Sequence, residues 1–525
     1  MDLRGSQQMK RWIGLSIGFS LATGFCCLTT AGAQAVGNWS SPRNDMGHSG
    51  FQKAETIMTK DSLSGNFKFL WKLKLGSGAA KDTMSYSEPL LVPRLINGQG
   101  FKDFVMWGGA QDLYAADSEL GKILWTKHYD AAPSACGPTN LGVVAEAPVI
   151  INFRARRAPG SPPPPPPAGP MAASERRVGV SAGGGGFGFR GVYVLAGDGS
   201  LYEQVIATGG DFAPPVKFVP GAVGISNGLA LDGKTVFTAT KAGCAGVENA
   251  VWAMTMDGKD YPVSSYKTGS ITPLIAMGPT VEGDTAYVVT GEGKGADADA
   301  HANSIVALGP DAKVKDWYAP ESGALQNVTP VAFTYNQKKL LAAPGKNGSY
   351  VLLDTESLGG TDHHTALAAT ASVSKARSGT VAALASWQDT GGGASWVLAS
   401  VPGPVDAAAK FANSNGAAPH GSIVAFKVED SGGKATLTPA WVSRDLINPA
   451  PPVIANGLVI ALSQGDASKH ATLYVLDAAT GKELYSSGDA INTYAHMAGV
   501  AVGDGHAFFV THDNTLYSFG IGMEH

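Results

Sequence analysis

The sequence predicts an all-β chain: an eight-bladed β-propeller of four-stranded blades, its ring closed by an N-terminal strand joining the last blade. Three observations predict it. A phrase of apolar strand, Asp/Gly turn and second strand returns eight times along the 525 residues. Most copies lie roughly 45 to 55 residues apart, the length of one four-stranded blade. The chain also carries 68 Gly and 31 Pro, which makes turns frequent and leaves little room for long helices.

The clearest copies are "LYAADSELGKILW" from Leu113 and "TLYVLDAATGKELYSSG" from Thr472. Asp117, Gly121, Lys122 and Trp125 of the first fall where Asp477, Gly481, Lys482 and Tyr485 fall in the second. Degenerate copies begin at Leu201, Val251, Ile305, Tyr350, Ile423 and Leu516. Upstream of each comes an apolar strand, a tight turn and another strand, plainest in "AGVAVGDGHAFFVTHDNTLYSFG" (498–520). Each unit therefore has four strands, A to D from the inside of the ring outward. The last copy stops at Gly520, after its third strand, while "FKFLWKLKLG" (67–76) is a lone D-like strand near the N-terminus. Pairing the two closes the ring and removes both sheet edges.

The domain reading is a signal peptide over 1–33, an N-terminal extension over 34–66 and the propeller over 67–525. Arg4, Lys10 and Arg11 precede a mostly apolar run from Trp12 to Thr30, and Ala31-Gly32-Ala33 supplies a small-x-small cleavage pattern. A retained membrane anchor is the alternative. A lipoprotein reading is weaker, because Phe25 precedes Cys26 where a small residue is needed. Insertions are expected at 154–190, 291–303 and 402–421. The first, Pro-rich then Gly-rich, reads as a polyproline-type excursion between strands A and B of the second blade.

Charge excludes some functions. A net charge of −4 with only 16% charged residues gives no electrostatic footprint for nucleic acid or an anionic membrane. Removal of the leader takes Cys26 and Cys27 with it and leaves Cys136 and Cys244. These lie in loops of adjacent blades on one face, so a disulfide in an oxidising compartment is expected, with two separate thiols as the alternative.

The pattern Ala/Leu-x-Asp-x-x-Thr-Gly-Lys-x-x-Trp resembles the repeat of the pyrroloquinoline-quinone (PQQ) superfamily of quinoprotein alcohol dehydrogenase-like propellers. That superfamily also holds a non-enzymatic outer-membrane-assembly propeller, so the resemblance implies fold before chemistry. It implies that the motif's aromatic residues (Trp125, Trp317, Trp441, Tyr485) pack between neighbouring blades. It also implies that any ligand sits on the face shared by the D–A and B–C loops. In the dehydrogenases that face holds the quinone, a Ca²⁺ ion and a catalytic aspartate. Candidate channel-mouth contacts on it are Glu88, Glu146, Asn227, Lys241, Asn327, Lys346, Arg377, Asn448 and His496. Gln111, Asp466, His470, His512, Asp513 and the 291–303 loop, with Glu292, Asp297, Asp299 and His301, share the face. Entrance Asn and Glu residues equally satisfy free strand-end amides, and that structural reading stands beside the ligand reading for each.

Departures from the dehydrogenases are clear. The mature chain has no adjacent Cys-Cys pair and no C-x-x-C-H haem attachment. The Ca²⁺ ligands and catalytic aspartate map onto no residues of this sequence. "DADAHAN" (297–303) lacks the Gly and terminal Glu of a calcium loop. His363-His364 has no third spaced ligand and reads as a solvated loop. The expected function is a secreted or periplasmic binding or scaffold module, with a protein or small molecule at the propeller face and no integral span in the mature chain. The alternative is a PQQ/Ca²⁺-dependent dehydrogenase of an alcohol or sugar, with hydrolase or lyase chemistry a weaker third.

Overall fold

Strands dominate the computed structural model. It describes residues 37–75, 86–97, 100–130, 140–145, 191–221, 228–242, 247–256, 259–274, 277–295, 299–374, 382–389, 393–495 and 499–522. The signal-peptide reading, the whole 154–190 insertion, Cys136 and Cys244 lie outside these residues. Among the described residues, no helix is long and apolar enough to cross a membrane.

The chain is a β-propeller. The first blade runs Leu90–Asn97, Gly100–Gly108, Asp112–Asp117 and Lys122–His128, each strand antiparallel to the one before it. The same meander recurs around the ring, ending on Ala501–Gly503, His506–Thr511 and Thr515–Ile521. There Phe67–Lys74 adds as the outer strand, antiparallel to Thr515–Ile521.

The expectation of eight equal, four-stranded blades needs correction: seven blades rather than eight take strands A to D from one continuous stretch of chain, and a further, composite sheet is completed from the N-terminus. Three of the sheets exceed four strands. Pro273–Leu274 doubles the inner edge of the fourth blade, and Phe51–Gln52 lies parallel to the inner strand of the seventh. In the sixth, Val328–Thr329 pairs parallel with Ala382–Gln388, and Asn413–Ser414 from the 402–421 insertion pairs parallel with the outer strand Lys434–Val442. These two-residue strands cover backbone that would otherwise remain an unpaired edge.

Adjacent blades are joined by one repeated device. The indole of Trp125 covers Gly209 of the next blade's C–D turn, and its Nε1 donates to Ile206 O at 2.8 Å. Trp71 does the same on Gly121 with Ser118 O at 3.1 Å, and Trp441 on Gly481 with Ala478 O at 3.1 Å. Each accepting carbonyl belongs to the residue three before the glycine. The turn aspartate holds that corner: Asp477 Oδ1 accepts from the amides of Ala479 and Thr480, and Asp117 Oδ1 from those of Glu119 and Leu120. Tyr485 fills the same slot against Phe67, with ring centroids 4.8 Å apart. Trp317 departs from the pattern. It is sandwiched between His301 and His363, at 4.4 and 4.5 Å. His363, whose side chain is still 38% exposed, therefore takes part in an interblade dock from its loop.

Candidate functional site at the central channel

The channel wall is lined by the chain itself. Residues 39–52, aperiodic and rich in Ser, Asn, Asp and Gly, wind once around its wall and bond to the blades in order. Leu91 N of the first blade donates to Trp39 O at 2.8 Å, and Ala145 N of the second to Ser40 O at 2.6 Å. Met46 serves two blades: its sulfur accepts from Leu231 N of the third at 3.1 Å, and its carbonyl from Val281 N of the fourth at 2.7 Å. Ala332 N then donates to Gly47 O, Ser386 N to Ser49 O and Ile454 N to Gly50 O, at 2.9, 2.9 and 2.7 Å. Gln52 Nε2 completes the circuit on Val502 O of the last sheet at 3.0 Å. The chain then leaves on the A–B side, where Glu55 Oε2 accepts from Gly505 N and Met58 O from Asn456 Nδ2.

Tight winding in a closed space dictates the local residues. Arg43, Asn44, His48 and Gly50 all adopt positive φ, at 63°, 76°, 58° and 60°. Only glycine and, less readily, asparagine take that region without strain, so the two others store strain that the surrounding ring enforces. At Gly50 a Cβ would stand 2.1 Å from Arg43 Nη2.

Arg43 is fully buried. Its Nη2 donates to Pro452 O, while its Nε and Nη1 have no partner among the described residues. Its backbone N donates to Glu88 Oε1 at 2.7 Å, and Trp39 Nε1 donates to the same oxygen at 2.7 Å. Burial pushes the Glu88 carboxyl up, against the pull of the Arg43 charge, and pushes the Arg43 guanidinium down. His48 meets Thr280 Oγ1 at 3.2 Å, and burial lowers it to about 3, so it is neutral at physiological pH.

The sequence-derived candidates scatter around this assembly. Glu88 is buried, and its Oε1 is turned to the N-terminal segment. Lys241 is exposed in a loop of the third blade, and Asn327 and Lys346 are exposed on two neighbouring loops of the fifth, joined by the Leu325↔Lys346 bridge. Asn448, also exposed, donates its Nδ2 to Gly465 O at 2.8 Å. Glu146, Asn227, Arg377, His496 and Asp297 lie outside the described residues. Elsewhere on the face, Asp466 Oδ1 caps Ser468 and Lys469, His470 Nε2 is 3.3 Å from Asp489, and His512 stacks on Tyr494 at 3.9 Å. Asp513 pairs with Lys74 at 3.3 Å, and Gln111 Nε2 donates to Tyr129 O at 3.4 Å. Trp39, Arg43 and His48 were missed by the sequence reading, because they belong to no repeat and their partners are remote in the chain.

The described residues do not form the donor set that a PQQ/Ca²⁺ centre requires. Hard oxygen ligands must converge, yet the described mouth residues bring no three carboxylates together, and Glu88 Oε1 is taken by Trp39 and the Arg43 backbone. Among the described residues, three carboxylates come within 4.8 Å of one another only at Asp103, Glu119 and Asp504. Those belong to the opposite, A–B and C–D, side of the ring.

No family model and no curated relative matches the chain. Solved structures do. The quinohemoprotein alcohol dehydrogenase ADHIIG from Pseudomonas putida HK5 is similar at 13% identity and a TM-score of 0.55. The quinohemoprotein alcohol dehydrogenase from Comamonas testosteroni is similar at 12% identity and a TM-score of 0.51. Each likeness covers 93% of this chain and 81% of the other, and at such identity it speaks for the fold alone. The strand topology and these likenesses support one conclusion: the chain has a β-propeller fold similar to that of the quinohemoprotein alcohol dehydrogenases.

Proposed function

We propose that this protein is a secreted or periplasmic binding or scaffold module, with its ligand surface on the D–A and B–C loops around the channel mouth. One observation carries the reading. The inner strand edges around the axial space, where a propeller would hold a buried cofactor, are covered by residues 39–52, and the buried Glu88 carboxylate bonds to that segment. What remains for a partner is the loop surface, which offers exposed Lys241, Asn327, Lys346 and Asn448. A polar surface of this kind suits contact with a protein or a small polar molecule.

The test is incubation of the purified protein with PQQ and Ca²⁺, reading bound-quinone absorbance and dye reduction over a panel of alcohols and sugars. The expected result is no saturable quinone binding and no substrate-dependent reduction. Saturable binding with substrate-dependent dye reduction would overturn the proposal in favour of a dehydrogenase.

A further inference from the structure

The A–B and C–D side of the first blade carries two large apolar side chains that stand exposed among the described residues. Phe101 is 76% exposed and Leu120 53%, above every other exposed large hydrophobic among the described residues. They belong together. Asp103, two residues after Phe101, and Glu119, next to Leu120 in the C–D turn, bring carboxylate oxygens within 4.8 Å of each other, so both apolar side chains flank one cluster. Ile123, 36% exposed, follows on the outer strand of the same blade.

The acidic trio adjoins this pair. Asp103 is two residues from Phe101, Glu119 is next to Leu120, and Asp504 comes from the A–B turn of the neighbouring sheet. Among the described residues none of the three forms a salt bridge with a lysine or arginine side chain; Arg94 reaches Asp103 only through its backbone N, which donates to Oδ1 at 2.5 Å. The nearest histidine contact is His506 Nε2, 3.7 Å from Glu119 Oε2, and burial lowers that ring to about 4, so it brings no positive charge. Lys102, between them in sequence, is held by Asp117 at 2.8 Å. Arg94 only moderates the charge on Asp504, and burial together with the neighbouring aspartates pushes Glu119 up to about 7. Like charges are gathered here beside uncovered apolar surface, and a cation supplied from outside would relieve their repulsion.

We propose that this patch docks a protein segment that presents an apolar side chain flanked by lysine or arginine. The apolar anchor sits on Phe101 and Leu120, and the cations meet Asp103, Glu119 and Asp504. Exposed apolar surface rimmed by charge marks an interaction site, and the sign of the rim selects a basic partner over an acidic one. The site is independent of the channel mouth, so its failure would leave the function proposed above untouched.

Fluorescence anisotropy of the full-length mature protein with a fluorescein-labelled Leu/Lys amphipathic peptide tests this. The expected result is saturable binding that weakens as NaCl rises from about 0.05 to about 0.3 M, and no binding of the matching Leu/Glu peptide. Phe101→Ser with Leu120→Ser should weaken binding about tenfold. Asp103→Asn with Glu119→Gln should weaken it and flatten its salt dependence. The first pair is exposed, so those variants should keep the wild-type circular dichroism and melting profile. Failure of the Leu/Lys peptide to saturate, or equal binding by wild type and both variants, would overturn the proposal. So would sedimentation showing a wild-type dimer that Phe101→Ser with Leu120→Ser converts to monomer, because the occupant would then be a second copy of this chain.

Discussion

Gly481 sits at φ +71° beneath the indole of Trp441, and a Cβ built there would stand 2.3 Å from Trp441 Cε3. Two demands meet at this residue, a left-handed backbone and a close approach, and they can be separated. Gly457 has φ +75° with nothing within 4 Å of its built Cβ. Gly457→Ala should therefore cost only the backbone term, about 1 kcal/mol. Gly481→Ala adds a displaced buried tryptophan and should cost about 3 kcal/mol. Urea unfolding midpoints of the two variants check this, and equal losses would remove the packing demand. These positions were legible in the sequence because Asp, Gly and Trp act on turn amides and carbonyls a few residues away. Arg43 was not. Its bonded partners, Glu88 and Pro452, stand 45 and 409 residues further on, and no local pattern announces such a pairing.

Among the elements, the channel segment is the one the repeat could not foretell. Strands A to D were readable because half-buried strands alternate and their turns need Asp and Gly. Residues 39–52 neither alternate nor repeat, since each meets a different blade. Their seating leans on Glu88, whose Oε1 takes hydrogen bonds from Trp39 and from the Arg43 backbone and whose charge offsets the buried guanidinium. Glu88→Ala should cost about 3 to 5 kcal/mol, because it strands a buried cation. It should also free the segment: limited proteolysis should cleave within residues 39–52 of the variant while leaving the wild type intact. A variant as resistant as the wild type would show that the blades alone retain the segment. The accessory strands Asn413–Ser414 and Val328–Thr329 were equally illegible, because two residues are too few to display a period.

Across the whole molecule, closure was the most legible feature. A D-like strand stood alone at one end and a blade lacking its D strand at the other, and Phe67–Lys74 pairs with Thr515–Ile521 accordingly. The balance of buried titrating groups is a property of the complete ring, and it sets the response to pH. His48 and His506 are pushed down to about 3 and about 4 by burial, below the ordinary 6.5. Their contribution is therefore full above 6.5 and is lost as pH falls toward those values. Glu119 and Glu203 are pushed up to about 7 from 4.5, mainly by burial. Theirs is full below 4.5 and is lost as pH rises through about 7. Between about pH 7 and 4.5 the unfolded chain gains protons on the two histidines while the folded chain gains them on these two glutamates and on Glu88, which burial also raises, so the terms oppose. Below about pH 4.5 the glutamate term no longer changes and the histidine loss continues. Asp445, Asp477 and Asp513, all held below the usual range, then lose stability as well. The melting temperature should be nearly level from about pH 7 to 4.5 and fall steeply below. Glu203→Gln removes one opposing glutamate, so its melting temperature should already decline across that level window. Thermal melts of both proteins from about pH 8 to 3.5 decide it: a wild-type decline beginning near 6.5, parallel to the variant's, would mean that Glu203 titrates no differently in the folded chain than in the unfolded one.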